Sequence, residues 1–167
     1  MNLSEAKLQF INSWGAFGTQ WGINRTMAQI YALLLVSAKP LTQDNIMDEL
    51  AISRGNVNMN IRELIGWGIV EKIIISGERK EHFVAEKDIW KASTQILKER
   101  KKRELDPMLK MLEQLEAVEG DKNDKEFAQF TKTIKEVKQL SVSAEKVINV
   151  MTSTGGNFFV DKIIKLF

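Results

Sequence analysis

The sequence predicts a mainly α-helical protein with one small β-hairpin. Apolar residues recur at helical spacing through most of the 167 residues. The chain holds only 10 Gly and 2 Pro, so long stretches lack helix breakers. One β-branched run, Ile69–Ser76, is followed by a polar turn and a second extended segment, Glu81–Ala85. This length suits one medium domain, or a small domain with appended helices.

Two helices are expected before the first proline. The first covers about Ser4–Phe17, with Gly18 as the residue that ends it. Asn24 is a suitable N-cap for the second, which must end before Pro40. The apolar positions of this second helix share one face and predict burial: Met27, Ile30, Tyr31, Leu34 and Leu35.

Two nearly abutting helices follow. Thr42 is the N-cap candidate of a short helix with Ile46, Met47 and Leu50 inward, and Ser53 is that of the next helix. The helix that Ser53 opens has one apolar stripe: Val57, Ile61, Leu64 and Ile65. Its opposite side carries three polar residues one turn apart, Arg54, Asn58 and Arg62. Gly66 and Gly68 are expected to end it.

Long helices are predicted beyond the hairpin. Asp88 is the expected cap of a charged helix to Leu105, after which Pro107 either kinks the helix or starts a new one. After a break at Gly120–Asp124, another long helix is expected, then a second break at Thr152–Asn157 and a short apolar segment, Phe158–Phe167. Two apolar stripes predict burial within or between subunits: Leu109, Leu112 and Leu115, and Phe127, Phe130, Ile134, Val137 and Leu140.

The composition excludes several classes of chemistry. With no Cys and one His, the chain has no disulfide, thiolate metal site or Cys nucleophile. No glycine-rich phosphate loop or catalytic constellation is evident, so we expect no enzyme, no cofactor and no metal. The longest apolar run, Ile30–Val36, is too short to span a membrane, and the first residues lack a secretory signal pattern. We therefore expect a cytoplasmic protein.

The order helix, turn, helix, hairpin is the layout of a winged helix-turn-helix. The net charge is only +2, but Ser53–Lys110 carries 13 basic and 9 acidic residues. A helix about 10 to 12 Å across fits the major groove of DNA, where Arg54, Asn58 and Arg62 are suited to base edges or phosphates. The helix start at Ser53 is suited to a phosphate.

The hairpin tip, Gly77–Lys80, adds candidate contacts. Arg79 on this tight turn is placed to enter the adjacent minor groove, where the negative potential attracts a guanidinium. Lys72 and Lys80 would add backbone contacts. His82, the sole histidine, is interpreted as a strand residue. The charged run Lys98–Glu104 is either a solvated helix face or a DNA-backbone contact.

Several segments carry a resemblance to a known family. The stretches Trp21–Thr26, Ile30–Leu35, Ile52–Leu64, Trp67–Val70 and Ser76–Lys80 resemble the winged-helix repressors of the MarR superfamily, in particular the GbsR-like branch. The resemblance implies a homodimer that binds a pseudo-palindromic operator in double-stranded DNA, usually as a repressor. The residues expected to contact DNA are Ser53, Arg54, Asn56, Asn58, Arg62, Lys72, Arg79 and Lys80.

The resemblance also implies a dimer that responds to a small organic effector, with choline as the example in the best-known relatives; the alternative is that the protein has no effector. Five aromatic residues are candidates for a cage around a quaternary ammonium group, and core packing is the other interpretation: Trp14, Phe17, Trp21, Trp67 and Trp90. We expect three segments: residues 1–23 for dimerisation, 24–88 for DNA binding, and 89–167 for dimerisation and an effector. The alternative function is a winged helix used as a protein-interaction module.

Overall fold

The structure is a computed structural model that describes residues 1–153. Within these residues the chain forms seven α-helices and three β-strands. The helices are α1 (Leu3–Gln20), α2 (Arg25–Val36), α3 (Gln43–Leu50), α4 (Arg54–Gly66), α5 (Ile89–Arg100), α6 (Asp106–Glu116) and α7 (Lys125–Ser153). The strands are β1 (Leu41–Thr42), β2 (Val70–Ile74) and β3 (Glu81–Ala85). The chain divides into two compact units, of which the first is Met1–Ala92.

Helix α1 is longer than predicted. Asn2 and Glu5 form a reciprocal capping box at its start, with both hydrogen bonds at 2.9 Å. The expectation that Gly18 ends this helix is wrong, because α1 continues to Gln20 and the left-handed residue is Gly22, with φ +72°. Gly18 instead lies against α2, where a Cβ on it would come within 2.6 Å of the Ala28 Cβ.

Helix α2 is the centre of the core of the first unit. Asn24 caps it as predicted, since its Oδ1 accepts a hydrogen bond from the Met27 amide at 3.2 Å. Met27, Ile30, Tyr31 and Leu34 are buried, which confirms most of the predicted inward face. Leu35 is only half-buried.

The sheet has three strands rather than two. The prediction of a two-stranded hairpin missed β1, which pairs antiparallel with β3 and gives the order β1-β3-β2. Two residues, Leu41 and Thr42, form this strand, and a run so short carries no alternation of apolar and polar residues. The consequence is that the start of α3 is attached to the hairpin, which is the wing of this fold.

A lysine joins the end of α2 to the segment after β3. The Lys87 ammonium donates hydrogen bonds to the main-chain carbonyls of Leu34, Leu35 and Ser37 at 2.7, 2.6 and 2.9 Å. The Tyr31 hydroxyl donates to the Glu86 carbonyl at 3.3 Å. Burial, with a smaller contribution from the Glu86 charge, raises the pKa of Tyr31 to about 12, so this hydroxyl stays a donor at neutral pH.

The second unit begins at Ser93, within α5. Asp88 caps that helix as predicted, accepting from the amides of Trp90 and Lys91 at 2.9 and 3.0 Å. A π-helical turn, Lys101–Leu105, joins α5 to α6 without a loop. Its wider winding accommodates Pro107, which lacks an N–H and whose ring would collide with a carbonyl in a regular helix.

Helices α6 and α7 pack together in the second unit. Leu112 is buried, while Leu109 and Leu115 are half-buried. The predicted α7 stripe divides: Phe127 and Ile134 are half-buried, whereas Phe130, Val137 and Leu140 are exposed. The predicted break at Thr152 is wrong at its start, because Thr152 and Ser153 belong to α7; Thr154–Asn157 and Phe158–Phe167 lie outside the described residues.

Candidate nucleic-acid interface

Helices α3 and α4 each begin with a side-chain N-cap, and a left-handed residue connects them. Thr42 caps α3 with a capping box to Asn45, and the Ser53 Oγ accepts from the Asn56 amide at 3.3 Å. Ala51, between the helices, has φ +51° and ψ +46°. Both N-caps confirm the predictions, and they fix the residues at which α3 and α4 begin.

The inner face of α4 is buried against the first unit. Val57, Ile61 and Leu64 are buried as predicted. Ile65 contradicts the predicted stripe, since its side chain is 38% exposed. It follows Leu64 directly, so it points about 100° away from that residue around the helix axis.

The outer face of α4 is polar and open. Arg54, Asn58 and Arg62 are exposed, one turn apart. Asn56 is half-buried, and its side-chain oxygen accepts a hydrogen bond from the buried Asn60 amide at 2.7 Å. The side chain of Asn56 is therefore already engaged within the helix itself.

Met59 is a functional candidate that the sequence analysis did not single out. It lies on the exposed side of α4, one position after Asn58 in the sequence, and 59% of it is exposed. An apolar side chain on a polar helix face is suited to contact with a thymine methyl group. The signal in the sequence is its spacing, four residues after Gly55 and three before Arg62, which places it on the polar side.

The wing presents its cations on a tight turn. Gly77 has φ +87°, and the Glu78 amide donates to the Ile75 carbonyl at 3.0 Å, closing the turn. Arg79 is exposed beside it, and it has no ion-pair partner within residues 1–153. His82 is a buried strand residue whose Nε2 lies 3.0 Å from a Glu78 carboxylate oxygen.

Three of the candidate cations are held by carboxylates of the first unit. Arg54 and Lys80 both contact Asp44, at 2.7 and 2.8 Å, and Lys72 contacts Glu81 at 2.9 Å. The Lys80 hydrogen bond and charge, then the Arg54 charge, hold the pKa of Asp44 below its usual value. Asp44 was not predicted as a site residue, because its two partners are distant in sequence.

The aromatic candidates occupy different parts of the fold. Trp14, Phe17 and Trp21 form a row along α1 with Phe10, with neighbouring ring centroids 5.3 to 6.3 Å apart. Trp67 is buried at the end of α4, and Trp90 is half-buried at the start of α5. A row on one helix forms a single wall, whereas a cage surrounds its ligand. The cage therefore stays a prediction.

The fold and the exposed surface of α4 and the wing define a winged-helix protein. The chain is similar to the HTH-type transcriptional repressor GbsR of Bacillus subtilis (strain 168), at 29% identity over 85 residues, which are 51% of this chain and 47% of that repressor. The similarity thus spans about half of each protein. It confirms the resemblance to GbsR-like regulators that the motifs indicated.

A solved structure described as a transcriptional regulator has the same fold. It superposes with a TM-score of 0.67 over 89% of this chain and 96% of that one, at 18% identity. No family model matches the chain. Both of these proteins are described as regulators of transcription. Within residues 1–153, no helix is long and apolar enough to cross a membrane.

Proposed function

We propose that this protein is a sequence-specific DNA-binding regulator of transcription, and that it acts as a repressor. The observation that carries the proposal is the outer face of α4, where Arg54, Asn58 and Arg62 are exposed on a helix fixed by the Ser53 cap. In winged-helix proteins such a helix enters the major groove, and the hairpin contacts the adjacent backbone or minor groove. The similarity to the Bacillus repressor supports the same function.

The first test is binding of the purified protein to genomic DNA fragments that include its own promoter region. Phosphate contacts release counterions, so raising salt from about 50 to 200 mM should weaken the complex by orders of magnitude. Arg62→Ala should lower affinity, whereas Lys122→Ala, in the loop before α7 of the second unit, should not. Failure to bind any fragment at low salt would favour the protein-interaction module instead.

We further propose a homodimer, supported by an exposed apolar seam on α7. Five residues follow the 3-4-3-4 spacing of a coiled coil and are exposed: Val137, Leu140, Ala144, Val147 and Met151. A contiguous apolar seam of this kind is typical of a surface that another protein surface covers. A second copy would place two recognition helices on one pseudo-palindromic operator, about one turn of DNA apart (~34 Å).

The proposed effector is a quaternary ammonium compound that contacts the aromatic row of α1. Trp21 ends that row and is 55% exposed, so its ring is accessible. Choline should release the protein from DNA, and Trp21→Ala should weaken choline binding by roughly 2- to 30-fold. Tryptophan fluorescence during a choline titration measures this, with Phe130→Ala, an exposed aromatic residue outside the five candidates, as the control. An unchanged choline affinity in Trp21→Ala would remove α1 from the effector site.

A further inference from the structure

We propose that Asp44 is a specificity-determining positioning residue of the DNA-binding surface. The inference rests on the proposed function. The carboxylate of Asp44 holds Arg54 of the recognition helix, α4, and Lys80 of the wing in a single arrangement. This arrangement favours a matching DNA site and disfavours DNA that does not match.

The carboxylate of Asp44 joins two elements that lie far apart in sequence. Its Oδ1 accepts from Arg54 Nη2 at 2.7 Å, and its Oδ2 accepts from Lys80 Nζ at 2.8 Å. Both oxygens are therefore occupied by different cations, one from α4 and one from the wing. The three side chains border a polar pocket of about 150 Å³ whose lining is Thr42, Gln43, Asp44, Arg54, Lys80, Glu81 and Phe83.

The position of Asp44 is fixed by its surroundings. It lies in the first turn of α3, between Thr42 and Asn45, the two residues of the capping box. Strand β1 pairs Thr42 with His82 and Leu41 with Phe83, which brings the start of α3 to the base of the wing. The Gln43 side chain donates to the Arg54 carbonyl at 3.0 Å and attaches α3 to the first turn of α4.

The ion pair between Asp44 and Arg54 explains how Asp44 would affect recognition of a DNA base. A guanidinium has five N–H donors in one plane, and Asp44 contacts only one nitrogen of Arg54. The remaining donors can pair with a guanine edge while the carboxylate holds the plane in place. An arginine that is already ordered loses less side-chain entropy when it binds. The fixed orientation of Arg54 would thus raise the affinity for a DNA site that places a guanine at this position.

The same carboxylate opposes binding to other sequences. On random DNA, Arg54 and Lys80 meet phosphates more often than a matching base, and a phosphate that binds them competes with Asp44 for the same N–H donors. The negative charge of Asp44, which is partly exposed at the surface, also repels the phosphate backbone. Asp44 should therefore lower the affinity for random DNA and raise the ratio of specific to random affinity.

The test compares Asp44→Asn with the wild type on two probes: a duplex enriched from a randomised library by the wild-type protein, and its scrambled version. Asp44→Asn keeps the shape of the side chain and removes its charge. We expect it to bind the scrambled duplex several-fold tighter and to lower the specific-to-scrambled ratio by about fivefold or more. Asp48→Asn, an equal charge change on the exposed side of α3, should leave that ratio unchanged.

Two further variants separate positioning from folding. Asp44→Glu keeps the charge but displaces Arg54, so it should lose affinity for the enriched duplex without gaining any for the scrambled one. In an Arg54→Ala background, Asp44→Asn should change the ratio less than it does in the wild type, because only the contact with Lys80 is left to remove. If Asp44→Asn weakens binding to both probes equally while lowering the unfolding temperature, Asp44 is structural and the inference fails. If the wild type enriches no sequence, the proposed function itself fails.

Discussion

At the scale of single residues, Ala51 has a backbone conformation that its side chain disfavours. It connects α3 to α4 with φ +51°, and its side chain is exposed. A left-handed alanine costs about 1 kcal/mol because its Cβ approaches the following carbonyl oxygen, a contact that glycine lacks. The fold therefore accepts local strain to set the angle between the two helices that position the outer face of α4.

Ala51→Gly should thus stabilise the protein by up to about 0.6 kcal/mol, after the larger chain entropy of glycine in the unfolded state is subtracted from the relieved strain. Urea unfolding followed by circular dichroism measures the change. Ala117→Gly is the matched control, since this exposed alanine has φ −80° and should lose stability. A loss of stability in Ala51→Gly would mean that the turn does not have a left-handed residue.

Lys87 is a second residue whose role is visible only in the folded chain. Its three hydrogen bonds satisfy carbonyls at the end of α2, where a positive charge also interacts favourably with the helix dipole. Lys87→Met should lower the free energy of unfolding by about 1–2 kcal/mol, a value reduced by its partial exposure to solvent. Lys39→Met, an exposed lysine just beyond the same helix, should have little effect. Equal effects of the two substitutions would contradict a capping role.

At the scale of elements, the packing of α1 on α2 depends on glycine. A Cβ on Gly18 would approach the Ala28 Cβ to 2.6 Å, and this neighbour has no flexible end that could move aside. Gly18→Ala should therefore force the helices apart and cost about 1–3 kcal/mol. Gly66→Ala is the control: it lies in α4 with open space around its Cα, so it should be neutral or stabilising. Thermal unfolding of both variants tests this prediction. An unfolding temperature of Gly18→Ala equal to that of the wild type would rule out close packing of α1 on α2 at this residue.

The same glycine shows where sequence reasoning reaches its limit. Helical periodicity and side-chain caps predicted α2, α3 and α4 well, because Asn24, Thr42 and Ser53 act on their own first turns. Gly18 has the same local pattern whether it ends a helix or admits a neighbour. Strand β1 and the pairing of Asp44 with Arg54 and Lys80 depend on distant partners, so no local pattern could indicate them.

At the scale of the whole molecule, charge is balanced where the DNA surface is expected. Arg54, Lys72 and Lys80 contact carboxylates, while Arg62 and Arg79 have no ion-pair partner within residues 1–153. A surface with few free cations binds random DNA weakly, because non-specific affinity comes from phosphate neutralisation. Tight binding to an operator then requires many base-specific contacts at once. A dimer of this chain doubles the number of such contacts.

The proposed dimer is testable through its seam. Leu140 and Val147 are 72% and 58% exposed on α7, so replacing both with Glu should leave each subunit folded. In a coiled-coil interface the added charges would face each other, and the double variant should be monomeric by analytical ultracentrifugation. Its affinity for an operator should fall by at least about tenfold, because two linked sites reinforce each other. Gln139 is an exposed residue next to the seam, so Gln139→Glu should change neither the oligomeric state nor the operator affinity. If the double variant were still dimeric, the interface would lie elsewhere.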